Sequence, residues 1–195
     1  IQNKSLLLTF DDGFASNLIV AEKILNPMGI QALFFVVSDF VAIEDFEEAR
    51  QFIVRNVKLG TSMDKLPTYL SNMKWADLEA LLEQGHMIGA HTRSHVRLSE
   101  IRSLDGLADE IVSSADRLEN RLGVRLENFA YTFGDLDSFS CQALQVAQQR
   151  FRYVYSGLRG NNVMGTSSFA IRRDALTPTN PHALVGAFLE GGADF

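Results

Sequence analysis

Short apolar runs alternate with amphipathic segments along most of this chain. Residues 5–9 and 30–37 are almost continuously apolar, a pattern typical of strands buried in a parallel sheet. Between these runs, apolar residues recur at spacings of three and four over residues 18–25, and Gly29 follows. This spacing predicts a helix that ends before the glycine.

The second half of the chain repeats the pattern. Residues 104–122 carry one apolar stripe at helical spacing, and Gly123 follows as a helix-ending residue. Further strands are predicted at residues 86–90, 128–131, 151–155 and 169–172, and further helices around residues 78–82, 140–150 and 181–190. Residues 40–72 fit the alternation poorly, with a charged helical stretch over 44–58 and then a polar loop. We therefore predict an insertion there.

Alternating strands and helices predict an α/β fold with parallel strands and crossover helices. The spacing of the apolar residues fits an open sheet and a barrel equally well. The length of 195 residues predicts a single domain over residues 1–195. The chain begins without methionine and enters a strand almost at once, so we expect it to be trimmed at both ends.

Composition excludes several classes of protein. Hydrophobic residues make up 46% of the chain, too many for a disordered protein. A net charge of −6 argues against nucleic acid or an anionic membrane surface as the main partner. There is no apolar run of roughly 18 residues, so no transmembrane segment is predicted. The single cysteine, Cys141, excludes an internal disulfide framework and a zinc cluster built from thiolates.

The first cluster with chemical potential directly follows the first predicted strand. Asp11 and Asp12 are adjacent carboxylates, and Gly13 lets the backbone turn immediately after them. Adjacent side chains at the end of a strand point in different directions, so the two acids can have different roles. A solvated turn is the ordinary alternative for such a sequence.

The second cluster is His91-Thr92-Arg93-Ser94-His95, directly after another predicted strand. Two imidazoles four residues apart can bind one ion if the segment is helical or tightly turned. Active sites in α/β folds lie at the carboxyl ends of strands. An aspartate from the first cluster and the two histidines would form a ligand set with open positions, which suits zinc or another divalent metal.

The third cluster, residues 129–135, is aromatic and contains Gly134. Its aromatic side chains could belong to the core. A glycine turn after a strand can also present backbone N–H groups to a developing oxyanion.

Taken together, these motifs resemble the polysaccharide deacetylases, the NodB-homology group or carbohydrate esterase family 4. The resemblance is carried by Thr9-Phe10-Asp11-Asp12-Gly13, then His91-Thr92 with His95, then the aromatic turn ending at Gly134. It covers essentially the whole chain. It implies a distorted, incomplete (β/α) barrel and a metal-dependent hydrolase that removes N-acetyl groups from a carbohydrate.

The resemblance also implies a role for individual residues. Asp11 would be the general base, and Asp12, His91 and His95 would be the metal ligands. The oxyanion would be held by the metal and a backbone N–H, that of Phe133. Zn²⁺ is the default ion, and Co²⁺, Ni²⁺ or Fe²⁺ are alternatives.

This chain departs from the family pattern at two places. Many relatives have an arginine at the start of the third motif, where this chain has Ala130. The Ala-Tyr-x-Phe-Gly form resembles a branch in which a later arginine replaces it. Arg172 or Arg173 could do so, and Arg172 is preferred because it continues the predicted strand. The Leu-x-His run that supplies the general acid is missing, and His182 is the only late histidine, so the acid is unassigned.

The substrate is a carbohydrate by resemblance. The Ala130 branch favours an exopolysaccharide or lipopolysaccharide intermediate over bulk chitin. Tyr131, Phe133 and Trp75 are candidates for stacking on sugar rings. Periplasm, cell surface and cytoplasm all fit such substrates, and the sequence does not fix the oligomeric state.

Three other functions stay open at this stage. Family relatives also open cyclic amides or ureides, so the substrate could be a small nitrogenous ring. A relative without the arginine and histidine motifs could bind carbohydrate without catalysis, although Asp11, Asp12, His91 and His95 argue against it. A remoter alternative is an iron oxygenase with two histidines and one carboxylate, a site found mostly in all-β folds.

Overall fold

The computed structural model describes residues 5–177 and 179–190. Five parallel strands form one sheet in the order β1-β2-β3-β4-β5, so each strand lies beside its neighbour along the chain. The strands are β1 (Leu8–Phe10), β2 (Ala32–Val36), β3 (Met87–Ala90), β4 (Asn128–Ala130) and β5 (Tyr153–Tyr155). The sheet curls into half of a barrel, which confirms the predicted α/β fold and its incomplete barrel.

Helices lie between successive strands, and one further helix follows the last strand. They are α1 (Ala15–Val20), α2 (Ser38–Val41), α3 (Phe46–Phe52), α4 (Trp75–Glu83), α5 (Leu104–Ala108), α6 (Ser114–Leu122), α7 (Cys141–Arg150) and α8 (His182–Glu190). Wider, π-helical turns extend α1 through Ala21–Leu25 and α3 through Ile53–Val57, and another, Asp109–Ser113, joins α5 to α6. The predicted long helix over residues 104–122 is therefore continuous, but it is locally unwound at its centre.

The central strand β2 shows how the apolar runs pack. All five of its residues are buried. Side chains alternate across a strand, so Phe34 and Val36 join the main core under the helices, whereas Leu33 and Phe35 face the concave side. The concave cluster is completed by Ala130 and Tyr155 of the neighbouring strands. A strand buried on both faces explains the continuous apolar run in the sequence.

Two predicted strands are shorter than expected. Residues 5–7 precede β1, and Leu6 and Leu7 are exposed, so the apolar run there was not a reliable sign of burial. The strand predicted at residues 169–172 is reduced to one parallel bridge between Tyr155 and Ile171. The Asn162 side chain binds both the N–H and the carbonyl of Arg172, at 2.9 Å each, so that residue does not continue the ladder.

Residues 40–72 pack on the rest of the fold through a small apolar cluster of their own, which includes Phe40, Ile53 and Leu66. That this segment is an insertion stays a prediction. Among the residues that the structure describes, no helix has the length and apolar character to cross a membrane.

Candidate metal centre

The carboxyl ends of the strands bring the predicted residues together. Asp11 and Asp12 follow β1, His91 follows β3, and Phe133 lies three residues beyond β4. Because the strands are parallel, all of these ends open on one side of the sheet. The sequence clusters therefore meet at one site although more than 100 residues separate the first from the last.

Asp12, His91 and His95 converge closely enough to share one cation. The Asp12 carboxylate Oδ1 lies 3.4 Å from His91 Nε2 and 3.2 Å from His95 Nε2. One ligand atom from each residue lies within 4.8 Å of the other two. Two imidazole nitrogens and one carboxylate oxygen are donors suited to zinc and to other first-row divalent metals, so the residues fit the implied group.

Backbone carbonyls fix the orientation of both imidazoles. His91 Nδ1 lies 2.6 Å from the Ala130 carbonyl oxygen, and His95 Nδ1 lies 2.7 Å from that of Asn56. A carbonyl only accepts hydrogen bonds, so each Nδ1 carries the proton and each neutral ring leaves Nε2 free to bind a metal. Asn56 lies outside every motif in the sequence, and nothing about its residue type or spacing predicted this role.

The charges within the triad favour an ionised Asp12. Burial opposes ionisation of this side chain, but its hydrogen bonds with His91 and His95 outweigh burial, so the pKa of Asp12 lies well below its usual value. Burial also lowers the pKa of His91, but the nearby charges of Asp11 and Asp12 outweigh it and raise that pKa. A proton would therefore compete with a metal for His91 Nε2.

The backbone of the site is held in an uncommon conformation. Among residues 5–177 and 179–190, the non-glycine residues with left-handed φ are Asp12 (73°), Thr92 (62°), His95 (63°) and Phe133 (65°). Each of these residues belongs to one of the three sequence clusters. Strained backbone of this kind persists only where the surrounding structure enforces it, and it concentrates at functional sites.

Asp11 is bound by an arginine from the far end of the chain. Arg173 Nη1 donates to Asp11 Oδ1 at 2.6 Å, and Nη2 donates to Oδ2 at 2.9 Å. The same guanidinium donates to Thr9 Oγ1 and to the Ser156 carbonyl, and it lies 5.1 Å from the centre of the Phe35 ring. Asp11 Oδ2 lies 4.0 Å from His91 Nε2, next to the metal ligands.

The structure places Arg173 here, not Arg172, which the sequence favoured. Ile171 packs into the concave cluster, and side chains alternate in extended chain. Arg173 therefore points inward like Ile171, whereas Arg172 is exposed and extends past Gly160. Arg172 was preferred because it continues the predicted strand, but that strand is reduced to the bridge at Ile171, and Arg173 is the arginine that contacts Asp11.

The aromatic turn lies over the second histidine. The Phe133 ring centre lies 4.9 Å from that of His95, and the Arg97 guanidinium covers the ring at 4.6 Å. Arg97 is itself held by two 2.9 Å hydrogen bonds to the Asp135 carboxylate, which lower the pKa of that carboxyl. Phe133 thus forms one wall of the site and remains about one-third exposed.

Other residues singled out in the sequence lie away from the site. Tyr131 is buried and stacks on Phe139 with ring centres 4.2 Å apart, so its ring is not free to bind a sugar. Trp75 begins α4 and lies under the Arg121 guanidinium. His182 begins α8, and in the described part of the chain it forms no hydrogen bond or ion pair with a site residue.

Comparisons with known proteins agree on one family and one fold. The sequence profile described as Polysaccharide deacetylase matches residues 2–152. No curated protein sequence matches the chain. The Streptococcus pyogenes deacetylase PplD in complex with acetate is 19% identical, with a TM-score of 0.72, and the match covers 96% of this chain and 72% of that one. IcaB from Ammonifex degensii is 20% identical, with a TM-score of 0.72 and coverage of 97% of this chain and 75% of that one. A de-N-acetylase from Aggregatibacter actinomycetemcomitans is 18% identical, with a TM-score of 0.73 and coverage of 96% and 76%. At these identities the likeness establishes the fold.

Proposed function

The chain belongs to the polysaccharide deacetylase family, and we propose that it is a metal-dependent hydrolase that removes N-acetyl groups from a carbohydrate. The observation that carries this proposal is the convergence of two separate carboxylates on one pair of histidines. Asp12 contacts His91 and His95 directly. Asp11 lies beside them and is hydrogen-bonded to the Arg173 guanidinium. A candidate metal site and a proton acceptor are therefore adjacent, the arrangement that metal-assisted hydrolysis of an amide uses.

Asp12, His91 and His95 would hold the cation, and Zn²⁺ suits their nitrogen and oxygen donors. When bound, such a cation supplies Lewis-acid activation of water and of the amide carbonyl. The two carbonyl groups behind the histidines keep both Nε2 atoms directed at the same point. Little rearrangement of these side chains is needed to bind the ion.

Asp11 is the proposed general base. Its carboxylate has roughly four lone-pair sites, and the two hydrogen bonds from Arg173 leave others free to accept the proton of the attacking water. Arg173 fixes the orientation of the carboxylate with a bidentate contact, which a lysine could not reproduce. We therefore assign the positioning role to Arg173, the second of the two arginines that the sequence left open, although the sequence preferred Arg172.

The amide N–H of Phe133 is the proposed donor to the developing oxyanion. Within the described residues, this N–H donates to no other protein group, so it is available to a substrate. Its left-handed φ turns the peptide at the end of the strand, and Gly134 continues the same turn. A preorganised N–H stabilises negative charge that develops in the transition state.

We further propose that the chain belongs to the family branch with an Ala-Tyr-x-Phe-Gly third motif and acts on an exopolysaccharide or lipopolysaccharide intermediate. Ala130 has no side chain that could reach the base, and the contact between Arg173 and Asp11 supports replacement by a later arginine. Two of the similar structures, a deacetylase in complex with acetate and a de-N-acetylase, support acetyl as the acyl group that is removed.

Metal content is the first test of this proposal. We expect about one ion per chain in the wild-type protein by mass spectrometry, and loss of that ion in D12A and H91A. His182→Ala removes an exposed histidine outside the site and is the matched control, which should keep its ion. A wild-type protein that cannot be loaded with Zn²⁺ would overturn the hydrolase assignment.

Acetate release from a substrate panel is the second test. The panel should contain acetylated exopolysaccharide and lipopolysaccharide fragments, chitin oligomers, and small cyclic amides and ureides. Release of acetate from the first group supports the proposal. Release only from chitin oligomers would refute the proposed branch, and ring opening alone would replace deacetylation with cyclic amide hydrolysis.

A further inference from the structure

The loop between the two histidine ligands is held in place by the protein itself. We call residues 91–95 the histidine loop. Between the carbonyl of Thr92 and the amide of His95, every backbone polar group has a hydrogen-bond partner. Those partners are Ser38 N, Ser114 Oγ, the Glu110 carboxylate, Asp39 N, Asn56 Nδ2 and Thr92 Oγ1.

Glu110 makes the largest contribution from a single side chain. Its Oε2 accepts from Arg93 N at 3.0 Å and from Ser94 N at 2.9 Å, and its Oε1 accepts from Ser94 Oγ at 2.6 Å. The residue is only 5% exposed. Hydrogen bonds from consecutive N–H groups to a buried carboxylate are among the stronger ones, because the acceptor is charged.

A local distortion of the helix accompanies this contact. Glu110 lies in the π-helical turn Asp109–Ser113, between α5 and α6. Ser114, four residues later, donates to the carbonyl of Thr92 at 2.8 Å. Leu107 and Ile111 remain packed in the core on the same helix. The helix therefore contributes to the core while it binds the histidine loop at two points.

We propose that Glu110 is a positioning residue for the metal centre, which holds the histidine loop in its metal-binding conformation before a metal arrives. This inference rests on the proposed function, because it assumes that His91 and His95 bind a cation. Left-handed φ is uncommon for any residue other than glycine and is an outlier for a β-branched one, and the loop holds two such residues, Thr92 and His95. The loop therefore needs external contacts to keep this shape. Without Glu110, two buried N–H groups would lose their acceptor.

Substitution by glutamine separates hydrogen bonding from charge. In Glu110→Gln, the amide oxygen can still accept from Arg93 N and Ser94 N, and the amide N–H₂ can donate to the Ser94 hydroxyl. Glu110→Ala removes these three hydrogen bonds together with the 3.7 Å ion pair between Glu110 and the Arg93 guanidinium. If Glu110 acts by holding the histidine loop in place through hydrogen bonds, the glutamine variant should keep the metal-binding conformation of the loop and the alanine variant should lose it.

The neighbouring acid provides a matched control. Asp109 is adjacent in the chain and contacts the Arg93 guanidinium at 3.1 Å, but its side chain is half exposed and makes no hydrogen bond to the loop amides within the described residues. Asp109→Ala therefore removes one negative charge near the loop and leaves the three contacts of Glu110 in place.

The experiment measures Zn²⁺ affinity by competition with a chromophoric chelator, together with hydrogen exchange of the Arg93 and Ser94 amides in the metal-free protein. We expect E110A to bind Zn²⁺ about 10 to 100 times more weakly than the wild type, the usual effect of removing a residue that orients metal ligands. E110Q and D109A should change affinity by much less than tenfold. The two amides should exchange faster in E110A and at the wild-type rate in D109A.

The Zn²⁺ affinities of the variants distinguish failure of the positioning role from failure of the proposed function. Wild-type affinity in E110A, or a loss in E110Q as large as in E110A, overturns the positioning role and leaves the proposed function intact. A wild-type protein that binds no Zn²⁺ overturns both. If E110A does not fold, E110D tests the same point, because a side chain one methylene shorter keeps the charge but draws the carboxylate away from the loop. Wild-type affinity in a folded E110D would then refute the inference.

Discussion

Arg173 and Asp11 form a bidentate ion pair between segments 162 residues apart, with both carboxylate oxygens bound at 2.6 and 2.9 Å. The pair joins the first strand of the sheet to the segment beyond the last strand. Arg173 also donates to Thr9 on β1 and to Ser156 next to β5. One guanidinium therefore connects the two edges of the half-barrel and orients the proposed base.

Replacing Arg173 should impair catalysis more than metal binding. We expect R173A to lower kcat by about 100-fold, the order of loss seen when a reacting group is misplaced by about 1 Å. R173K should also be impaired, because an ammonium cannot make the bidentate contact. Both variants should retain their metal, which mass spectrometry would check alongside the rate of acetate release.

The matching variant R172A discriminates between the two arginines. Arg172 is exposed and lies beside Gly160, so its loss should lower kcat far less than the loss of Arg173. The reverse order of effects would restore the assignment that the sequence favoured.

Gly134 should not tolerate a side chain. A Cβ at this position would lie 2.7 Å from the backbone of Gly157, and φ is +75°. Gly123 has a similar φ of +68°, but a Cβ there would meet nothing within 4 Å. We expect G134A to lower the free energy of unfolding by about 1 to 3 kcal/mol more than G123A, the usual cost of overpacking. Urea denaturation of the two variants measures this difference, and equal losses would show that the close approach to Gly157 has no cost.

The Phe133 ring should slow the escape of the metal. It lies against the imidazole of His95, and an apolar cover restricts the access of solvent and chelator to a metal site. We expect F133A to lose its ion to a chelator several times faster than the wild type, with unchanged metal content before the challenge. Tyr69→Ala, which removes an aromatic ring that is 77% exposed, serves as the control. Equal rates in all three proteins would mean that the ring does not cover the site.

His86 should make stability depend on pH. Its Nδ1 accepts from the Ala32 amide at 3.1 Å, so the neutral ring carries its proton on Nε2, 2.9 Å from Asn26 Oδ1. Burial lowers the pKa of His86 from its ordinary value of 6.5. The unfolded chain therefore binds a proton at a higher pH than the folded protein does. The contribution to stability is complete above pH 6.5 and is lost as the pH falls below that value.

The measurement is urea unfolding of the wild type, H86Q and H182Q between about pH 5 and pH 7.5, the range in which histidine titrates. The wild type and H182Q, whose substitution lies at an exposed position, should lose stability on acidification more steeply than H86Q. Parallel curves for the three proteins would rule out His86 as the source of this dependence.

The sequence predicted the elements whose apolar spacing is regular. The buried strand β2 and the helix over residues 104–122 were both predicted because tertiary packing and local pattern agree there. The three chemical clusters were also located, since each follows a strand. A strand was predicted over residues 169–172, but only the bridge at Ile171 forms, because the side chain of Asn162 binds the backbone of Arg172, ten residues further along the chain.

What the sequence did not reveal depends on contacts between distant segments. Glu110 flanks an apolar stripe as any solvent-exposed acid would, and only the fold brings it to the histidine loop. Asn56 acts on His95 through its backbone carbonyl, which every residue type possesses. The left-handed φ of Thr92 contradicts the preference of a β-branched residue, that of His95 is uncommon, and the surrounding structure holds both.

The left-handed residues of the site also determine when the site can form during biosynthesis. The peptide of residues 91–95 does not favour its native shape on its own, and its partners come from segments as distant as Ser38 and Ser114. The site therefore takes shape only after those segments have docked. In zinc fingers, by contrast, the metal drives the chain to fold. If this site binds a cation as we propose, we expect folding to precede metal binding, so a chain made in metal-poor conditions should fold as an apoprotein that can bind the ion later.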